Sequence, residues 1–139
     1  MTAVARLQQV RSIDDVLAAA RSRIARYYPE EAAARMAAGA LLVDIRPAAN
    51  REAEGSVPGA LVIERIHLEW RLDPQSDARI PEATGHSVEV IVLCNEGYSS
   101  SLAADSLREL GLVDAADVID GFRAWAAAGL PVEHGPATG

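Results

Sequence analysis

The chain has 139 residues, enough for one domain of ordinary size with a sizeable core. Its 20 acidic and 13 basic residues give a net charge of −7, and every basic residue is arginine. An acidic chain without a basic run is a poor match for nucleic acid or an anionic membrane surface. Without lysine, neither Schiff-base chemistry nor a P-loop is available.

Cysteine and histidine usage narrows the chemistry further. The one cysteine, Cys94, excludes an internal disulfide, a C-x-x-C pair and a multi-cysteine zinc site. His67, His86 and His134 are too dispersed for a local metal motif, so no metal or other cofactor is expected. No apolar run approaches the roughly 18–20 residues of a membrane span. The first residues have no apolar signal core, so a cytoplasmic compartment is the expectation.

Taken in chain order, residues 1–11 read as an irregular lead-in. Ser12 is placed to cap a helix over 13–23, whose apolar residues Ile13, Val16, Leu17 and Ala20 recur at helical spacing. Pro29, followed by Glu30 and Glu31, opens a second helix over 29–38, and Gly39 ends it. Ala40–Ile45 reads as a buried strand, 48–54 as a short helix, and 55–59 as a turn. A strand is expected at 60–63 and a short helix at 64–72, in which Trp70 is read as packing. The polar stretch 73–87 reads as a long loop. Val88–Leu93 is the most apolar strand and delivers Cys94 at its end. A helix over 99–110 follows, then a brief strand at 117–119. A last helix over 120–128 turns Phe122 and Trp125 inward.

Strands alternating with helices indicate an α/β domain with a mostly parallel sheet. Ligands bind such sheets at the carboxyl ends of the strands, which directs attention to Cys94. Three features coincide there. Gly97 permits a tight curl of the chain over the cysteine. Successive amides in such a curl converge into an anion-binding nest. The positive end of the helix beginning at Ser99 points at the same place. Ser99, Ser100 and Ser101 are expected to add hydroxyl donors. Together these favour a thiolate, and they mark Cys94 as a nucleophile rather than a core cysteine.

Four segments in order resemble the signatures of a single-domain rhodanese, a sulfurtransferase. They are V-D-I-R-P at 43–47, E-G-S-V-P-G-A at 54–60, L-C-N-E-G-Y-S-S-S-L-A-A at 93–104, and V-I-D-G-F-R-A-W-A-A-A-G-L-P-V at 118–132. The resemblance implies a rhodanese-like three-layer α/β fold with a central, mostly parallel sheet of about five strands between helices. It places the domain at 24–133, with 1–23 an N-terminal extension carrying an extra helix and 134–139 a flexible tail. It implies that Cys94 takes up sulfane sulfur as a persulfide from a donor such as thiosulfate or a persulfide. A thiol, a cyanide-like acceptor or an acceptor protein then removes that sulfur. The loop would be Cys94, Asn95, Glu96, Gly97, Tyr98 and Ser99, with Ser100 opening the helix.

Asp44 and Arg46 match the family's D-x-R and are expected to pair and brace this loop. Arg65 and Arg71 are candidates to offset Glu96 and attract an anionic donor, although each reads more readily as a solvated surface arginine. The chain departs from the pattern at three places. Ser99 stands where many members carry arginine, Ser56 where a histidine is usual, and Glu96 puts a negative charge in the loop that opposes thiosulfate. Glu96 and the missing loop arginine keep a non-catalytic sulfur-carrier or protein-interaction module as the alternative. A cysteine phosphatase would need a longer loop ending in arginine to clamp a phosphoryl group. A redox sensor would need a resolving cysteine.

Overall fold

The computed structural model describes residues 10–135. The expectations for 1–9 and 136–139 therefore lie outside the described residues. Five strands form one sheet in the order β1-β5-β4-β2-β3, and every pairing is parallel. They are β1 (Ala25–Tyr27), β2 (Leu41–Asp44), β3 (Leu61–Val62), β4 (Val90–Leu93) and β5 (Ala116–Val118). The helices are α1 (Ile13–Arg23), α2 (Pro29–Ala37), α3 (Ala48–Glu54), α4 (Leu68–Leu72), α5 (Ser99–Glu109) and α6 (Gly121–Ala127), with a 3-10 turn at Arg65–His67 before α4.

Strand period divides the core into two layers. Val90 and Val92 of β4 face one cluster with Val43, Leu68, Leu72 and Leu107. Ile91 and Leu93 face the other, with Leu42, Val118, Phe122 and Trp125. Both faces are covered, so the strand reads as a continuous apolar run rather than an alternation. All four β4 side chains are buried. Each contributes about 1.5–3 kcal/mol of burial, which makes β4 a rigid central post for the cysteine at its end.

Helix α1 is capped as its sequence requires. Ser12 Oγ accepts from the Asp15 amide at 3.0 Å, and Asp15 Oδ2 accepts from the Ser12 amide at 3.2 Å. The helix lies against α5. Arg23 grips Asp105 there with two bonds, at 2.9 and 2.6 Å. The hydrogen bond from Arg23 holds the Asp105 carboxyl below its usual range, against an opposing contribution from burial.

Three expectations need correction. Strand β1 is absent from the sequence reading, because Ala-Arg-Tyr is too short and too polar to show a strand pattern. Its pairing with β5 creates it. Trp70 is 62% exposed rather than packed, since Leu68 and Leu72 occupy the buried side of the short α4. The long loop 73–87 is also more than a polar excursion, because Ile80 and Ala83 plug into the core. Elsewhere the elements fall within a residue or two of expectation, and Phe122 and Trp125 are buried as read.

Candidate active-site loop

The chain leaves β4 at Leu93 and curls from Cys94 to Ser99 before α5 begins. Cys94 is 5% exposed. Its sulfur accepts the Gly97 amide at 3.1 Å and the Ser100 amide at 3.4 Å. The thiol thus sits in a nest of backbone donors at the mouth of α5, where negative charge is stabilised.

A loop can aim amides inward only if its carbonyls turn out and find partners. Here they do. The amide of Phe122 bonds the Cys94 carbonyl at 2.8 Å, and that of Arg123 bonds the Asn95 carbonyl at 3.2 Å. The Gly97 carbonyl accepts Arg21 Nη2 at 2.8 Å and Arg26 Nη2 at 3.2 Å.

Two glycines make this approach possible. At Gly97, with φ +86°, a Cβ would stand 2.7 Å from the Asp120 amide nitrogen. At Gly121, with φ +64°, a Cβ would stand 2.5 Å from the Cys94 carbonyl oxygen. Any side chain at either position drives α6 and the loop apart.

Beneath the loop, Asp44 and Arg46 form a fully buried pair. Arg46 Nη2 bonds Asp44 Oδ2 at 2.8 Å, and the guanidinium lies 3.9 Å from the Phe122 ring centre. Arg46 also reaches the Gly55 carbonyl at 2.8 Å and Asn95 Oδ1 at 3.3 Å. Asn95 passes the connection on by donating to Glu54 at 3.0 Å. Hydrogen bonds from Arg123, then from Asn95, lower the Glu54 carboxyl below its ordinary range.

The remaining residues fall less simply. Glu96 is exposed, and Arg123 stands beside it at 3.6 Å. Arg65 is instead held by Glu69 at 2.8 Å. Arg71 bonds the Ala78 carbonyl at 2.7 Å and lines a cavity of about 570 Å³ along β3 with Arg51, Ile63 and His67. Cys94 is not among that cavity's lining residues. Tyr98 and Ser99 are exposed. Ser100 and Ser101 give their hydroxyls to Asp117, at 2.8 and 2.7 Å, and so do not offer them to the thiol as expected.

Asp117, with no exposed surface, also takes Arg26 Nε at 2.8 Å. Three residues of this assembly, Arg21, Arg26 and Asp117, carry no local sequence signal. They come from α1, β1 and β5, and only the folded sheet gathers them.

The parallel sheet and the loop at its carboxyl edge define an α/β domain in which two backbone amides meet the sulfur of Cys94. The Rhodanese-like domain family matches residues 28–128, and the chain belongs to that family. The chain is 33% identical over 105 residues to the thiosulfate sulfurtransferase GlpE of Haemophilus influenzae, covering 76% of this chain and 90% of that protein. It is 35% identical over 94 residues to the adenylyltransferase and sulfurtransferase MOCS3 of Arabidopsis thaliana, covering 63% of this chain and 20% of that protein. The chain therefore spans about a fifth of the length of that plant relative. A structure from Rhodopseudomonas palustris, described as a protein of unknown function and possible tyrosine phosphatase, is similar with a TM-score of 0.80 and 33% identity. The match covers 89% of this chain and 96% of that one. Among the described residues, no helix is long and apolar enough to cross a membrane.

Proposed function

We propose that this protein is a sulfurtransferase that carries sulfane sulfur on Cys94. The observation that carries this reading is the pair of amides, Gly97 and Ser100, directed at the Cys94 sulfur while the carbonyls of Cys94, Asn95 and Gly97 are bonded elsewhere. A persulfide anion needs such an array and needs no general base.

With thiosulfate as donor, the Cys94 thiolate attacks the outer, sulfane sulfur. A new S–S bond forms, the bond to the sulfonate sulfur breaks, and sulfite leaves with the electron pair. The enzyme retains Cys94–S–S⁻. A thiophilic acceptor such as cyanide or a thiolate then attacks the terminal sulfur, and the S–S bond electrons return to Cys94 as thiolate. Charge and atoms balance in both halves, which gives double-displacement kinetics. Asp44, Arg46 and Asn95 hold the loop's shape without touching the transferred atom.

The loop is short for phosphoryl transfer, and no arginine follows Tyr98. The nearby guanidiniums of Arg21 and Arg26 are spent on a backbone carbonyl. The decisive experiment is intact-protein mass spectrometry after incubation with thiosulfate, mercaptopyruvate, polysulfide or glutathione persulfide, followed by cyanide. A gain of one sulfur atom on Cys94, removed by cyanide, is expected. Failure of every donor to load Cys94 overturns the reading.

A further inference from the structure

Two guanidiniums from the last turn of α1 and from β1 converge on one carbonyl of the loop, that of Gly97. Arg21 comes from α1 and Arg26 from β1, and both precede the region matched by the family. We propose that Arg21 is a positioning residue of the sulfur-carrying loop, holding the peptide between Gly97 and Tyr98 so that the loop's donors face the Cys94 sulfur.

The geometry runs as a chain of contacts. Arg26 is fixed by Asp117, which takes its Nε at 2.8 Å and its Nη2 at 3.3 Å. Arg21 has no such carboxylate. Its Nε donates to Ser101 Oγ at 3.1 Å, its Nη2 to the Gly97 carbonyl at 2.8 Å, and its guanidinium lies 5.8 Å from the Tyr98 ring centre. Each of its contacts therefore lies within the loop or the first turn of α5.

A trans peptide is planar, so a carbonyl drawn toward Arg21 turns the Tyr98 N–H the opposite way. On the preceding peptide, the Gly97 N–H already meets the sulfur at 3.1 Å. Gly97, at φ +86°, is the residue best able to swivel, and so the one where an outside grip has most effect.

The charged groups around the loop are Arg21, Arg26 and Asp117 on one flank and Asp44, Arg46, Glu54, Glu96, Asp120 and Arg123 on the other. Asp117 is committed to Arg26, Ser100 and Ser101, Asp44 to Arg46, and Glu54 to Asn95 and Arg123. Arg21 is the cation in this set that touches the loop backbone without a carboxylate partner among the contacts described.

The proposal deepens the sulfur-transfer reading and rests on it for its consequence, faster loading of Cys94. Its test uses alkylation, which needs no sulfur donor. The 139-residue chain is compared with Arg21→Met, Arg21→Lys and Arg23→Met, following the rate of Cys94 alkylation by iodoacetamide across a pH series. Arg23→Met serves as the control for helix docking, because Arg23 joins α1 to α5 through Asp105 and does not touch the loop.

In Arg21→Met the alkylation profile moves to higher pH, lowering the neutral rate about threefold, and the deficit closes in alkali. Arg21→Lys recovers most of the loss, and Arg23→Met follows the parent profile. An unshifted Arg21→Met profile overturns the proposal. So does an equal shift in Arg23→Met, which would assign the effect to docking alone, or a deficit that persists undiminished in alkali. If the shift appears while no donor loads Cys94, the positioning role stands and the sulfurtransferase reading falls.

Discussion

Arg123 Nη1 stands 3.6 Å from Glu96 Oε2, and its Nε bonds Glu54 at 3.2 Å. The one acidic side chain of the loop is thus partly offset by the helix that follows β5. Both partners are more than half exposed, so water and salt screen the attraction and its value is about 0–1 kcal/mol.

This pairing sets the expected response to an anionic donor. Arg123→Ala unmasks Glu96 and raises KM for thiosulfate about two- to fivefold at low ionic strength. Glu96→Ala lowers KM, and the double variant returns near the parent. Steady-state cyanide trapping over a salt series measures all three. A raised or unchanged KM in Glu96→Ala contradicts the repulsion.

Cys94→Ala is expected to abolish sulfur transfer while the fold persists. The side chain is small, and its removal costs the core about 1 kcal/mol against the several that β4 contributes. Thermal melting and cyanide trapping on the same sample check both halves. Turnover with small acceptors, as opposed to a stable persulfide released only to a protein, separates an enzyme from a sulfur carrier.

Asp44→Ala leaves the Arg46 charge buried without its carboxylate. Such a break costs about 3–5 kcal/mol. The guanidinium keeps the Gly55 carbonyl and the Phe122 ring, so some of the brace survives. Denaturant titration is expected to show this loss, with sulfur transfer per folded molecule falling less steeply. Superimposable melting curves for variant and parent refute the assignment.

Acid is expected to loosen α1 from α5. Asp105 has its folded-state carboxyl lowered by Arg23, so its contribution is complete above the unfolded value of about 3.9. It is lost as pH falls through the lower folded value. Melting temperatures from about pH 5 to about pH 2 are expected to fall less steeply in Asp105→Asn than in the parent. Parallel slopes in the two proteins would contradict this.

An aryl phosphate offers a direct check on phosphoryl chemistry. The loop ends in Ser99, and Ser100 and Ser101 are turned to Asp117. No hydrolysis dependent on Cys94 is expected. Hydrolysis that disappears in Cys94→Ser would reverse that judgement.

The parts of this site that the sequence discloses are local ones. Cys94, Gly97 and the start of α5 lie within a few residues of one another, so turn chemistry and helix polarity suffice to read them. The pairing of Asp44 with Arg46 is legible for the same reason. Arg65 and Arg71 are ambiguous from sequence because an arginine's reach covers several possible partners, and the fold gives them Glu69 and the Ala78 carbonyl. Arg21, Arg26 and Asp117 could not be read as site residues. Arg21 lies 76 positions from Gly97, and Arg26 lies 91 from Asp117. The packing of α1 on α5 joins the first pair, and the β1–β5 pairing joins the second. Strand β1 is hidden for the same reason, since its partner rather than its composition makes it a strand.

That pairing also orders events during synthesis. The edge strand β1 emerges early yet has nothing to bond until β5 follows at Ala116–Val118. Joining segments so distant in sequence is slow, because closing the intervening chain carries an entropic cost. In a growing polypeptide the thiol therefore emerges before Arg26 has the Asp117 carboxylate that holds it. The sulfur acquires its settled surroundings only once nearly the whole domain has left the ribosome.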